Sequence, residues 1–138
     1  MSRSIEREIR VEATPEVVYE VVSSPEHLRE WLPDEADVTA VPGSTGTVSF
    51  GDKVVALTVV EATPPRRFSF RWDYVGAVAT PENSLLVTFD LEPAGSGTLL
   101  RFSETGFDEA ARPDEVYQDH MSGWNHFLPR LAPYGERL

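Results

Sequence analysis

The chain has 138 residues, 41% of them hydrophobic and 10% aromatic, which is enough length and apolar content for one globular domain with a real core. Its 23 acidic residues against 12 basic ones give a formal net charge of -11, a field that repels phosphate backbones and anionic lipid surfaces. The absence of cysteine excludes disulfides, thiolate metal sites and a cysteine nucleophile.

The N-terminal Met1–Glu8 stretch lacks the apolar core of a signal peptide, and no apolar run reaches the roughly 20 residues of a membrane span, so a cytoplasmic location is expected. Residues 4–12 alternate. Ile5, Ile9 and Val11 point one way, Glu6, Glu8, Arg10 and Glu12 the other, which predicts a half-buried strand in spite of Arg7 on the apolar side. Thr14-Pro15-Glu16 then reads as a helix start: a capping hydroxyl, a proline suited to the first turn, and an acid at the positive end of the helix dipole. Val17, Val18, Val21 and Val22 supply an apolar stripe that ends near Ser23. Ser24-Pro25-Glu26 repeats the signal and predicts a short second helix through Leu32, stopped by Pro33.

Residues 37–105 read as a run of strands: Val38–Val41, Thr47–Phe50, Val54–Glu61, Arg67–Tyr74, Ser84–Glu92 and Thr98–Thr105. Turn signals at Pro42-Gly43, Gly51-Asp52, Thr63-Pro64-Pro65 and Pro93–Gly97 separate most of them. Connections this short make an antiparallel meander, because parallel pairing needs long crossovers. Phe68, Phe70, Trp72 and Tyr74 share one face. Residues 75–83 form a longer connection, long enough to act as a lid. Arg66, Arg67 and Arg71 are the nearest approach to a basic patch. Three charges read more simply as a solvated face, so neither nucleic acid nor membrane is expected as a partner. With no repeat or linker, residues 1–138 are expected to form a single domain.

Pro113-Asp114-Glu115 opens the last helix by the same proline-plus-acid logic. Val116, His120, Trp124, Phe127, Leu128 and Leu131 recur at steps of three and four, an apolar stripe that needs a large surface to lie against. Pro129 removes one backbone donor and crowds the Asn125 carbonyl, which predicts a bend over residues 125–129. Gly123 marks a spot where the helix comes close to something or leaves a gap.

The order strand, two short helices, six-strand meander and long closing helix resembles the helix-grip fold of the START-like superfamily, also called SRPBCC. Ile5-Glu6-Arg7-Glu8-Ile9 through Ala13-Thr14-Pro15-Glu16-Val17-Val18-Tyr19, with Pro25-Glu26-His27-Leu28-Arg29-Glu30-Trp31, is similar to the opening of the activator of heat-shock-protein-90 ATPase-like family. Val60-Glu61-Ala62-Thr63-Pro64-Pro65-Arg66-Arg67-Phe68 followed by Trp72 resembles its central hairpin. His120-x-x-Gly123-Trp124-x-x-x-Leu128-x-x-Leu131 resembles its closing helix. Where family members often carry two adjacent tryptophans, this chain has Trp31-Leu32. The resemblance implies an α+β fold in which a curved antiparallel sheet wraps the C-terminal helix and leaves a cavity for a small hydrophobic ligand, aromatic or lipid-like. Trp31, Phe68, Phe70, Trp72, Phe89, Trp124 and Phe127 are the expected walls, although each taken singly reads more simply as core. No cofactor is expected.

His120 is the one titratable residue on the apolar stripe. It is either a polar anchor or proton donor for a ligand, or a core histidine satisfied by a carbonyl or carboxylate, the plainer reading. His126 lies roughly 240° further round the helix, so the two cannot share a metal, and no metal site is expected. Among the strand carboxylates Glu61, Asp90, Glu92 and Glu104, alternation turns Asp90 outward. Glu104 shares a face with Leu100 and Phe102, yet a strand-end residue in solvent is its plainer reading. No Ser-His-Asp order, phosphate loop or nucleophile elbow is present, so no catalysis is assigned. The superfamily resemblance also implies polyketide cyclases and aromatases, for which His120 and Glu104 are the candidate pair, and protein-interaction modules. The chaperone activators carry a further N-terminal domain not found here, so chaperone stimulation is not carried over, and a protein partner is left unidentified.

Overall fold

The alternating stretch at the start of the chain forms β1 (Ser4–Val11), with Ile5 and Val11 fully buried. Thr14 caps α1 (Pro15–Ser23), its side-chain oxygen accepting from the Val17 amide at 3.3 Å, and α2 (Pro25–Trp31) follows directly after Ser24. The computed structural model describes residues 3–32, 34–73, 84–110 and 112–138. The remaining strands are β2 (Glu35–Asp37), β3 (Thr45–Phe50), β4 (Lys53–Thr63), β5 (Arg67–Asp73), β6 (Ser84–Ala94) and β7 (Gly97–Thr105). After a 3-10 turn at Phe107–Glu109, α3 (Pro113–Glu136) closes the chain. The seven strands form one sheet in the order β1-β7-β6-β5-β4-β3-β2, antiparallel throughout. This is an α+β helix-grip fold, an open antiparallel sheet with a long C-terminal helix against it.

One strand differs from the sequence reading. Val38–Val41 was expected to pair, but the strand ends at Asp37 and the pairing with β3 uses Glu35–Asp37. The following backbone turns on itself, with Val41 N bonded to Thr39 O at 2.8 Å and Ser44 N to Val41 O at 3.0 Å. Local bonds satisfy these groups, so the hydrophobicity of Val38 serves burial rather than pairing. Pro33, Tyr74 and the proposed lid at 75–83 lie outside the described residues.

The inner face of the sheet is a continuous apolar surface. Leu57, Val59, Phe68, Phe70, Trp72, Leu85, Val87, Phe89, Leu91, Leu100 and Phe102 are all buried, which follows from period-two alternation on strands covered on one side. Burying each such side chain contributes about 1.5–3 kcal/mol. The outer face carries ion pairs instead: Arg67 with Asp90 at 2.6 Å, and Arg101 with Glu92 at 2.8 Å and Glu8 at 3.1 Å. These are half-exposed pairs that keep the face soluble and contribute little to stability.

Helix α3 buries Trp124, Leu128, Leu131 and Gly135, with Val116, His120 and Phe127 half-buried beside them. It runs unbroken through Pro129 and Pro133. Its two glycines differ in their surroundings. A Cβ on Gly135 would stand 3.4 Å from Val11 and 3.7 Å from Val21, ordinary van der Waals contact, so the helix end packs closely on β1 and α1 without requiring glycine there. A Cβ on Gly123 would meet nothing within 4 Å. That open space is the site.

Candidate functional site

An open-mouthed pocket of about 270 Å³ lies between α3 and strands β3–β5, lined by Leu32, Phe50, Lys53, Val55, Trp72, Asp119, His120, Gly123, Trp124 and Phe127. Each wall has a local cause. Trp72 is on the inner side of β5 because it alternates with Arg71, and Trp124 and Phe127 follow His120 on the α3 stripe. The Trp72 and Trp124 rings stack, with centroids 5.7 Å apart and planes 29° from parallel. Phe50 closes the outer wall, 5.7 Å from Phe127 and 6.2 Å from Trp72 between centroids.

Behind this wall lies the one acidic side chain of the described residues that is wholly removed from solvent. Glu104, on β7, has no exposed surface. Trp72 Nε1 donates to its Oε2 at 2.7 Å and Trp124 Nε1 to its Oε1 at 2.7 Å. His120 Nδ1 sits 3.0 Å from both oxygens. The expectation of a solvated strand-end carboxylate is therefore corrected: the N-terminal half of α3 covers the end of β7, and three side chains supply the donors that a buried carboxylate requires.

The arrangement orients the histidine. A carboxylate only accepts, so Nδ1, the ring nitrogen facing Glu104, carries a proton, and Nε2 is the nitrogen turned away from the carboxylate. Among the described residues Nε2 has no hydrogen-bond partner. The ring is gripped edge-on by Trp72 and by Phe107, at centroid distances of 5.9 Å and 5.8 Å. It keeps 16% of its side-chain surface exposed while Glu104 keeps none. His120 is thus a polar group at an apolar wall, fixed in orientation by a charge that solvent does not reach.

Of the eight residues expected to contact a ligand, Trp72, His120, Trp124 and Phe127 line the pocket. The other four pack in the core. Trp31 donates Nε1 to the Val21 carbonyl at 2.9 Å and stands edge-on to Phe89 at 6.2 Å. Phe68 stands edge-on to Tyr19, Phe70 lies between Phe68 and Trp72, and Phe89 packs on Phe102. Residues that sequence reasoning did not single out are Leu32, Phe50, Lys53, Val55 and Asp119 on the walls, and Phe107 behind His120. Lys53 did carry a signal, since it is the only lysine in the chain. Among the described residues no group of three metal-ligating side chains lies together.

The family model described as Activator of Hsp90 ATPase homolog 1-like protein matches residues 12–136. The chain belongs to this family. Among solved structures it is similar to protein MLL2253 from Mesorhizobium loti, at a TM-score of 0.84 and 24% identity over 98% of both chains. It is also similar to the Aha1 dimer from Colwellia psychrerythraea, at a TM-score of 0.75 and 21% identity over 97% of this chain and 96% of that one. A third likeness is DynU16, described as a putative protein in the dynemicin biosynthetic locus, at a TM-score of 0.78 and 24% identity. This chain is covered to 95% in that comparison but spans only 46% of DynU16. Identities this low speak to the fold alone. No curated protein sequence matches the chain.

Proposed function

We propose that this member of the family binds a small, largely aromatic molecule between α3 and the sheet, with His120 Nε2 as its polar contact. The observation that supports the reading is Glu104. A carboxylate sealed behind an apolar pocket, and bonded to two of that pocket's indoles and its histidine, holds three lining residues in fixed positions at considerable desolvation cost. Flat stacked indoles suit an aromatic ring better than a flexible chain. The pocket volume of about 270 Å³ points to one or two rings, below the usual range for larger ligands. No helix among the described residues is long and apolar enough to cross a membrane, and we place this binding in the cytoplasm as part of the same proposal.

The test is calorimetric titration of a panel of one- and two-ring aromatics against the protein and against Gly123→Leu. A leucine at 123 would project into the open space while leaving the helix intact. Saturable binding that the substitution abolishes supports the reading. If no panel member binds the unsubstituted protein, the reading fails.

The same geometry favours one further reading. His120 Nε2, backed by Glu104, is arranged to take a proton from a carbon beside a carbonyl and return it elsewhere, the step that cyclases and aromatases need. The nearby carboxylate would stabilise the imidazolium that forms. Exchange of such protons into heavy water on a bound aromatic ketone, lost in His120→Gln, is the measurement that separates this from binding alone. A ketone that binds without exchange rules it out.

A further inference from the structure

The charge around the pocket mouth runs against the charge of the molecule. Across the whole chain acids outnumber bases by 23 to 12. Beside the pocket lies a second hollow of about 270 Å³ that shares Leu32, Phe50 and Phe127 with it and adds Arg29, Asp34, His126 and Arg130. The two linings together hold three permanent cations, Lys53, Arg29 and Arg130, against two acids, Asp34 and Asp119. The sole lysine of the chain and two of its three histidines are here.

The partners of these groups are as informative as their number. Arg3, Arg10, Arg67, Arg101 and Arg112 all pair with carboxylates at 3.4 Å or closer. Among the described residues Lys53 and Arg130 pair with none, and neither do Arg7, Arg66, Arg71 and Arg137 elsewhere on the chain. Arg130 reaches only the Glu30 carbonyl, at 3.4 Å, and Arg29 meets Glu35 no closer than 3.9 Å. Asp34 is committed, its Oδ2 accepting the Gly51 amide at 2.5 Å. In a protein with so many spare carboxylates, cations left without them beside an apolar pocket are placed to meet an outside anion.

Resting on the pocket reading above, we propose that the ligand is an amphipathic monoanion: an aromatic body against Trp72 and Trp124, and one carboxylate at the pocket mouth, between Lys53 of the pocket and Arg130 of the adjoining hollow. Lys53 lines the pocket beside Trp72 and Trp124 with no carboxylate partner among the described residues, and a single carboxylate balances its one charge. Phe50 and Phe127 border both hollows, so a ring on the indoles and a charge at the mouth can belong to one molecule.

Isothermal titration with 2-naphthoate and its neutral isostere 2-naphthamide tests this. At low salt the naphthoate is expected to bind about tenfold more tightly, as two partly exposed ion pairs would give, and the margin should shrink as salt is added. The ratio of the two affinities should fall toward one in Lys53→Gln with Arg130→Gln. It should persist in Arg67→Gln with Arg101→Gln, which removes the same charge from the outer face of the sheet. Thermal melts verify that both double variants are folded. Equal affinities in the unsubstituted protein, or a ratio that survives loss of Lys53 and Arg130, would overturn the anion seat and leave the pocket standing. Failure of both probes to bind would instead remove the pocket reading and this inference with it.

Discussion

Replacing Glu104 by Gln removes one oxygen and one charge with almost no change in shape, and the geometry sets the cost. Trp72 donates to Oε2 and Trp124 to Oε1, each at 2.7 Å. A glutamine amide offers one oxygen and one NH2 group, so either orientation leaves an indole N–H facing another donor. Flipping the amide moves the fault from one tryptophan to the other and cannot cure it. The loss is one hydrogen bond to a charged acceptor, about 1.5–3 kcal/mol, together with part of the penalty for a buried unpaired donor, about 1–3 kcal/mol. We expect a net destabilisation of about 3 kcal/mol, which for a domain of this size lowers Tm by roughly 10 °C. Urea unfolding followed by tryptophan fluorescence measures it, with the slope of the transition checked for constancy. A Glu104→Gln protein within about 0.5 kcal/mol of the unsubstituted one would refute the reasoning, because the indoles would then have found other acceptors and Glu104 would not organise the site.

Further expectations concern the frame around the site. Gly123→Ala should raise stability by up to about 1 kcal/mol, since the added methyl meets nothing within 4 Å and alanine is the better helix former; a lower unfolding midpoint would show that the space is not open. Thr14→Ala should cost about 1 kcal/mol in urea unfolding through loss of the bond to the Val17 amide. The Asp108 carboxyl is held below its ordinary range first by the hydrogen bond from the Arg3 side chain, then by the Arg3 amide and charge. Its stabilising contribution is therefore present above the ordinary aspartate range and is lost as pH falls through the depressed value. Asp108→Asn should melt lower than the unsubstituted protein at neutral pH, with the difference closing in acid; a pH-independent difference would separate the effect from this ion pair.

How much could be read beforehand depended on how local each cause is. Thr14-Pro15-Glu16 and Ser24-Pro25-Glu26 announce helices because prolines and acids act within the first turn, and Thr14 adds a cap that Ser24, with no side-chain cap bond, does not. The Phe68, Phe70, Trp72 face follows from period-two geometry in the same way. Val38–Val41 misled, because hydrophobicity is local but strand pairing requires a partner, and β3 runs alongside Glu35–Asp37 instead. Alternation also put Glu104 on the inner face with Leu100 and Phe102, yet no local rule says what covers the end of a strand.

The order of elements, the antiparallel meander and the identity of the buried faces were thus settled by the chain's own periodicities and punctuation, and the family by the likeness of whole stretches of sequence. Which aromatics border the pocket and which fill the core was decided only when the sheet closed on α3. Residues 72, 104, 120 and 124 lie on two strands and a helix, and the contacts that join them arise between elements. Sequence period gives the direction a side chain faces, whereas the neighbour it meets there depends on packing over the whole fold.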